Sequence, residues 1–148
     1  VVDHLVAAQG VRQAVRLAAE LGPDGCRAGA SCNPTSTDLK IANRVLSITG
    51  IGCGAGTYLP TPGGGTGGMR DFEVFEIQVR DARTGHTSSY RPCGGSYTGA
   101  YPLNERGNKP PTVGRIEVGF IGLYRPAMAP GITFPIEERA IMDIQQDL

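Results

Sequence analysis

Two histidines, four cysteines and one glycine-rich run are the residues of this 148-residue chain whose types and spacing could do chemistry. The run GIGCGA at 50–55 fits G-x-G-x-x-A, a permitted form of the dinucleotide-binding fingerprint. That fingerprint needs a strand before the glycines and a helix after them, because the helix N-terminus supplies amide donors to the pyrophosphate. Here the order is reversed. The residues before the run read as a helix, and the residues after it, YLPTPGGG at 58–65, hold two prolines and three glycines and cannot open one. The phosphate loop G-x-x-x-x-G-K-S/T also lacks its lysine, so no nucleotide is expected.

Histidine is the usual general base near neutral pH. His4 falls in a helical stretch and His86 follows Gly85 in a turn, where a solvated residue is the simplest reading. No G-x-S-x-G elbow occurs, and Glu137 and Glu138 are neighbours on a strand, which places them on opposite faces. Neither an enzyme nor a cofactor is expected. Cys26, Cys32, Cys53 and Cys93 lie among Gly, Pro, Asn and Ser and contain no C-x-x-C pair of the kind that holds zinc. An even number of loop cysteines points to disulfides and an oxidising, extracytoplasmic compartment. Three pairings are possible; Cys26 with Cys32 and Cys53 with Cys93 is the expected one.

Charge excludes another class. Fourteen basic side chains balance fourteen acidic ones, with no basic patch interleaved with aromatics, so no nucleic-acid surface is expected. The 22 glycines and 11 prolines are about twice the usual share, which makes much of the chain loop. No apolar run approaches the roughly 20 residues that cross a bilayer, so a segment directing export is expected upstream of Val1.

The elements that position these residues follow from periodicity. Residues 1–21 hold no proline and stop at Gly22-Pro23, a helix-ending pair. Their polar residues Gln9, Arg12, Gln13, Arg16 and Glu20 form a narrow strip, leaving an apolar face wide enough to need covering on more than one side. Val6, Gly10, Val11, Ala14, Val15 and Ala18 are the candidate packing or assembly interface. Within it Gly10, Ala14 and Ala18 recur every fourth residue, a spacing that admits either a second helix backbone or simple packing on a sheet.

A second helix is predicted over 37–49, capped by Ser36 or Thr37, with Asp38 in its first turn. The sheet region spans 72–145. FEVFEIQVRD alternates Phe75, Ile77 and Val79 with polar residues and leads through a turn at 81–86 into a hairpin. GRIEVGFIGLYR and ITFPIEERAIMDIQ alternate in the same way, and Pro135 argues for an edge position or a bulge in the last strand. Tyr58, Tyr97 and Tyr101 fall in the long loops and could form a contact surface, or else pack on the sheet edge. The expected fold is α+β in one domain over 1–148. A long N-terminal helix packs on a three- or four-stranded antiparallel sheet, pilin-like, with a short second helix and long Gly/Pro-rich loops.

In order along the chain, VAAQGVRQAVRLAAE, LKIANRVLS and above all VGRIEVGFIGLYRPAMAPGITFPIEERAIMDI resemble the ectodomains of TadE/TadG-like minor pilins (pseudopilins) of tight-adherence (Flp) pilus systems. Val113, Ile116, Val118, Phe120, Tyr124, Arg125 and Pro126, then Ala140, Ile141 and Met142, stand in the places of that family's closing hairpin. The resemblance implies a structural pilus subunit acting in assembly, priming or tip. Its partners would be other pilin or pseudopilin subunits and, through an apolar helix before Val1, the inner-membrane assembly machinery. It also implies that neighbouring chains cover part of the first helix. The other reading kept open is a secreted or tip-located binding module for glycan or protein, using the long loops.

Overall fold

The computed structural model describes residues 2–27, 32–49, 72–91, 96–108, 114–124 and 134–146. Two helices, α1 (Val2–Leu21) and α2 (Thr35–Thr49), precede five strands: β1 (Phe72–Asp81), β2 (Thr87–Arg91), β3 (Ser96–Gly99), β4 (Arg115–Tyr124) and β5 (Phe134–Asp143). The class is α+β, as the periodicity implies. All strand pairs are antiparallel, in the order β3-β2-β1-β4-β5.

The sheet has five strands rather than three or four. The unforeseen one is β3, whose four residues Ser96 to Gly99 pair with Arg91 to Ser88 of β2. So short a segment carries too little alternation to announce itself, and its ladder is made with residues already eight or so positions back in the chain. The first helix also differs from expectation. Its 20 residues span about 30 Å, roughly the width of a small domain, so the described residues contain no long helix reaching beyond the sheet.

Local chemistry explains the element ends. Gly22 stops α1 at a φ of +46°, donating its N–H to Ala18 O at 2.9 Å, and a Cβ there would lie 3.2 Å from Gln146 Cβ. The last carbonyls of α1 find donors in the C-terminal segment: Gln145 N–H reaches Ala19 O at 3.0 Å and Gln146 Nε2 reaches Glu20 O at 2.7 Å. At the start of α2 the capping oxygen belongs to Asn33 rather than Ser36 or Thr37. Asn33 Oδ1 accepts from Thr35 N–H at 2.9 Å and Thr35 Oγ1 at 2.6 Å, and Pro34, which has no N–H to satisfy, occupies the opening turn and accepts from Asp38 N–H at 2.8 Å.

The β1–β2 turn forms as predicted. Asp81 accepts from Arg83 N–H at 2.8 Å and Thr84 Oγ1 at 2.9 Å, and Gly85 takes a φ of +84°. β5 is an edge strand, and Pro135 lies on it opposite Leu123, where a missing N–H need not break a ladder.

One face of the sheet carries the core. Ile77, Val79, Ile116, Val118, Phe120 and Ile136 are each at most 3% exposed and meet Val11, Val15 and Ala18 of α1 and Ile41, Val45 and Leu46 of α2 in one cluster. α1 lies along β4 and β5, and α2 sits beside it with a lighter touch on β1.

Candidate functional site

Most of the candidate assembly interface on α1 is spent inside the chain. Val11, Ala14, Val15 and Ala18 are at most 4% exposed in the common core, and Val6 is half-buried at its rim. Gly10 is buried, and a Cβ on it would lie 3.0 Å from Thr49 Cγ2 and 3.6 Å from Val45 Cγ1. The small residue therefore admits the second helix of the same chain. α1 is covered by the sheet on one side and by α2 on the other, so the width of its apolar face needs no neighbouring subunit. What stays open at its start is Leu5, 63% exposed.

The tyrosine surface is also redrawn. Tyr101 is fully buried, and Tyr97 is half-buried with its hydroxyl donating to Asp38 Oδ2 at 2.5 Å. Neither presents an open contact face. Tyr58, Cys53, Cys93 and the whole glycine-rich run at 50–55 lie outside the described residues; the residues before that run are helical, not a strand. Cys26 and Cys32 are disulfide-bonded, Cα to Cα 5.6 Å, closing the loop between the two helices. His86 is exposed in its turn, Nδ1 2.6 Å from Glu105 Oε1, and His4 lies on α1.

The two tyrosines belong to a polar node that no sequence pattern disclosed. Arg106, wholly buried, places Nη1 2.6 Å from Asp38 Oδ1, itself 2% exposed. The angles fall outside hydrogen-bond geometry, so this is an ion contact. Arg106 Nη2 donates to Tyr101 O at 2.7 Å, and the guanidinium carbon lies 4.4 Å from the centre of the Tyr101 ring. Burial, then the hydrogen bond and negative charge of Asp38, hold the Tyr97 phenol neutral well above its ordinary range. Burial does the same for Tyr101, helped by the charge of Asp81. Asp38 was legible as a first-turn acid, but nothing marked Arg106; their meeting joins segments 68 positions apart and leaves no local trace. The node packs its groups against one another, tying α2 to the loop after β3.

Two surfaces of the described residues carry exposed side chains. On the outer sheet face the charges satisfy one another. Arg139 Nη1 donates to Glu117 Oε1 at 2.9 Å and its Nε to Glu137 Oε1 at 2.8 Å, while Arg91 meets Glu76 at 3.0 Å. Burial pulls the Arg139 pKa down, but the bonds to Glu137 and Glu117 outweigh it and raise the pKa. Gly119 makes room for this guanidinium, since a Cβ would sit 2.9 Å from Nη1. At the end of the same face Ile121, Leu123 and Pro135 line a small cleft of about 210 Å³ rimmed by Glu76, Arg91 and Glu137.

The other surface is helical. A cleft of about 410 Å³ opens between Leu17 of α1 and Lys40, Asn43, Arg44 and Ser47 of α2. Among the described residues no three His, Cys, Asp or Glu side chains gather as a metal site, and no helix is long and apolar enough to cross a membrane. Set beside known proteins, the chain matches no family model, and no curated protein and no solved structure is similar to it.

Proposed function

We propose that the chain is the ectodomain of a structural minor pilin, a TadE/TadG-like subunit acting in the assembly, priming or tip of a tight-adherence pilus. The observation that carries this reading is the seating of the N-terminal helix along β4 and β5, because those two strands also carry the hairpin residues of the family resemblance. A helix anchored along its length to a sheet can transmit a fixed orientation from whatever precedes it to the outer sheet face. Leu5, exposed at the leading end of α1, would then continue an apolar surface from an upstream membrane helix. The partners in this reading are other pilin or pseudopilin subunits and the inner-membrane assembly machinery. The Cys26–Cys32 bond is in keeping with an extracytoplasmic location.

Deleting the gene in the producing bacterium and counting pili by electron microscopy tests the proposal. Loss or shortening of pili, restored by the native full-length gene and poorly restored by Leu5→Glu, is expected. Pili of unchanged number and form, with the protein in the cytoplasmic fraction, would overturn it.

A further inference from the structure

The sheet ends on β5, and the ladder on one side of that strand fixes what the other side offers. Ile144 donates its N–H to Gly114 O at 2.8 Å, and the pairing of β5 with β4 runs from Asp143 opposite Arg115 to Phe134 opposite Tyr124 without a shift. In an antiparallel pair the direction of N–H and C=O alternates along the strand. Ile136, Glu138, Ala140 and Met142 therefore point theirs at β4, while Glu137, Arg139, Ile141 and Asp143 point theirs away. Asp143 O accepts from the exposed Gln145 Nε2 at 3.1 Å, in keeping with that direction. Among the described residues no strand pairs with this side. Pro135 falls in the outward set too, so its missing N–H takes no bond from the ladder.

An edge of this kind is a template for another strand. The opposite edge, β3, has only four residues against the ten of β5. Side chains decide which strand fits. Ile141, 48% exposed, is one of three large apolar side chains left exposed among the described residues, and it sits on the outer face between Arg139 and Asp143. On the inner face Ala140 and Met142 are half-buried, although their ladder partners Val118 and Ile116 are fully buried. The apolar floor thus runs out to the edge.

Two antiparallel copies of β5 can align in few ways, because outward groups must face outward groups. Centred on Glu137 or Arg139, like charges meet on the two-fold axis; centred on Glu138, that carboxylate meets its own copy; centred on Ala140, Glu137 meets Asp143. Centred on Ile141, the two isoleucines meet on the axis, Arg139 of each copy faces Asp143 of the other, and Ala140 faces Met142 beneath. The ladder then covers 139–143, and Glu138 lies beyond it. Of these registers only this one joins an apolar contact on the axis to opposite charges on both sides. We propose that β5 pairs with β5 of a second copy about Ile141, joining two sheets into one across a two-fold axis. Three residue pairs exchange roughly six backbone hydrogen bonds over a small area, which makes the dimer weak and exchanging. The proposal does not depend on the pilin reading.

Sedimentation equilibrium of the 148-residue chain from about 1 µM to 1 mM is expected to show monomer and dimer in exchange, half-dimerised between about 10 µM and 1 mM. Ile141→Pro removes the N–H on the axis and no bond to β4, so it should keep the native circular dichroism spectrum and abolish the dimer. Asp143→Arg and Arg139→Asp each set like charges opposite one another twice and should each weaken dimerisation at least about tenfold. An equimolar mixture of those two variants restores both opposite pairs and should dimerise within about threefold of the native chain. Leu123→Ser, on the same face but away from the edge, should leave dimerisation unaltered; circular dichroism of each variant establishes that it is folded. A chain that stays monomeric at about 1 mM, a dimer indifferent to Ile141→Pro, or a mixture no tighter than its components would each overturn the proposal.

Discussion

Replacing Arg106 by Met is expected to be among the most damaging single changes in the molecule. The side chain is wholly buried, and removing its charge strands Asp38, 2% exposed, without its cation. Breaking a buried ion pair from one side costs about 3–5 kcal/mol, because the remaining charge loses its compensation without regaining water. The donor to Tyr101 O at 2.7 Å and the stacking at 4.4 Å on its ring are lost as well, but Met recovers part of the packing, so about 4 kcal/mol is a fair total. Against a typical stability of about 5–15 kcal/mol this is a large share. In a domain of this size the melting temperature should fall by roughly 10 °C.

Urea unfolding followed by far-UV circular dichroism, with the disulfide kept oxidised, gives the measurement; the chain has no Trp to report by fluorescence. The decisive comparison is the double variant. Asp38→Asn with Arg106→Met removes both charges, so its cost should fall short of the sum of the single costs by at least about 1 kcal/mol. A loss under about 1 kcal/mol for Arg106→Met, or strict additivity with Asp38→Asn, would show that the two groups do not meet in a dry interior.

Three further outcomes follow from the same geometry. With Tyr97 and Tyr101 held neutral above their ordinary range, their contribution to stability is complete below the unfolded tyrosine pKa of about 10 and declines as pH rises past it. A spectrophotometric titration should accordingly show fewer than the five tyrosines ionising near pH 10 in the folded chain, the rest appearing with unfolding. Gly10→Val should cost about 1–3 kcal/mol by pushing α1 off α2, since even a Cβ there comes within 3.0 Å of Thr49 Cγ2, while Leu5→Ser on the exposed ridge should melt within a degree or two of the native chain. Cys26→Ser should lower stability by about 2 kcal/mol under oxidising conditions and by nothing once the native chain is reduced, as read by urea midpoints.

How much of this was legible in the sequence depends on the range of the interaction concerned. The limits of α1 and the end of α2 are visible because helix stops depend on residues next to one another, such as Gly22-Pro23. The β1–β2 hairpin and the inward phase of Ile77, Val79, Ile116, Val118 and Phe120 follow from period-two alternation, and Pro135 marks β5 as an edge because a missing N–H is tolerated only there. The Cys26–Cys32 bond is a six-residue closure, almost as local as a turn.

Other features needed segments far apart in the chain to meet. β3 exists through its pairing with β2, not through any pattern of its own. The apolar width of α1 was apparent, yet only packing decided that α2 supplies the second cover and that Gly10 is its point of approach. Tyr101 and Tyr97 read as loop residues until Asp38 and Arg106 are brought against them. A balanced charge count likewise conceals that Arg91, Arg115 and Arg139 meet carboxylates across the outer sheet face. Local propensity and periodicity act within a few residues and are written in the sequence. Burial, charge pairing and close approach are properties of neighbours in space, and the tertiary structure alone chooses those.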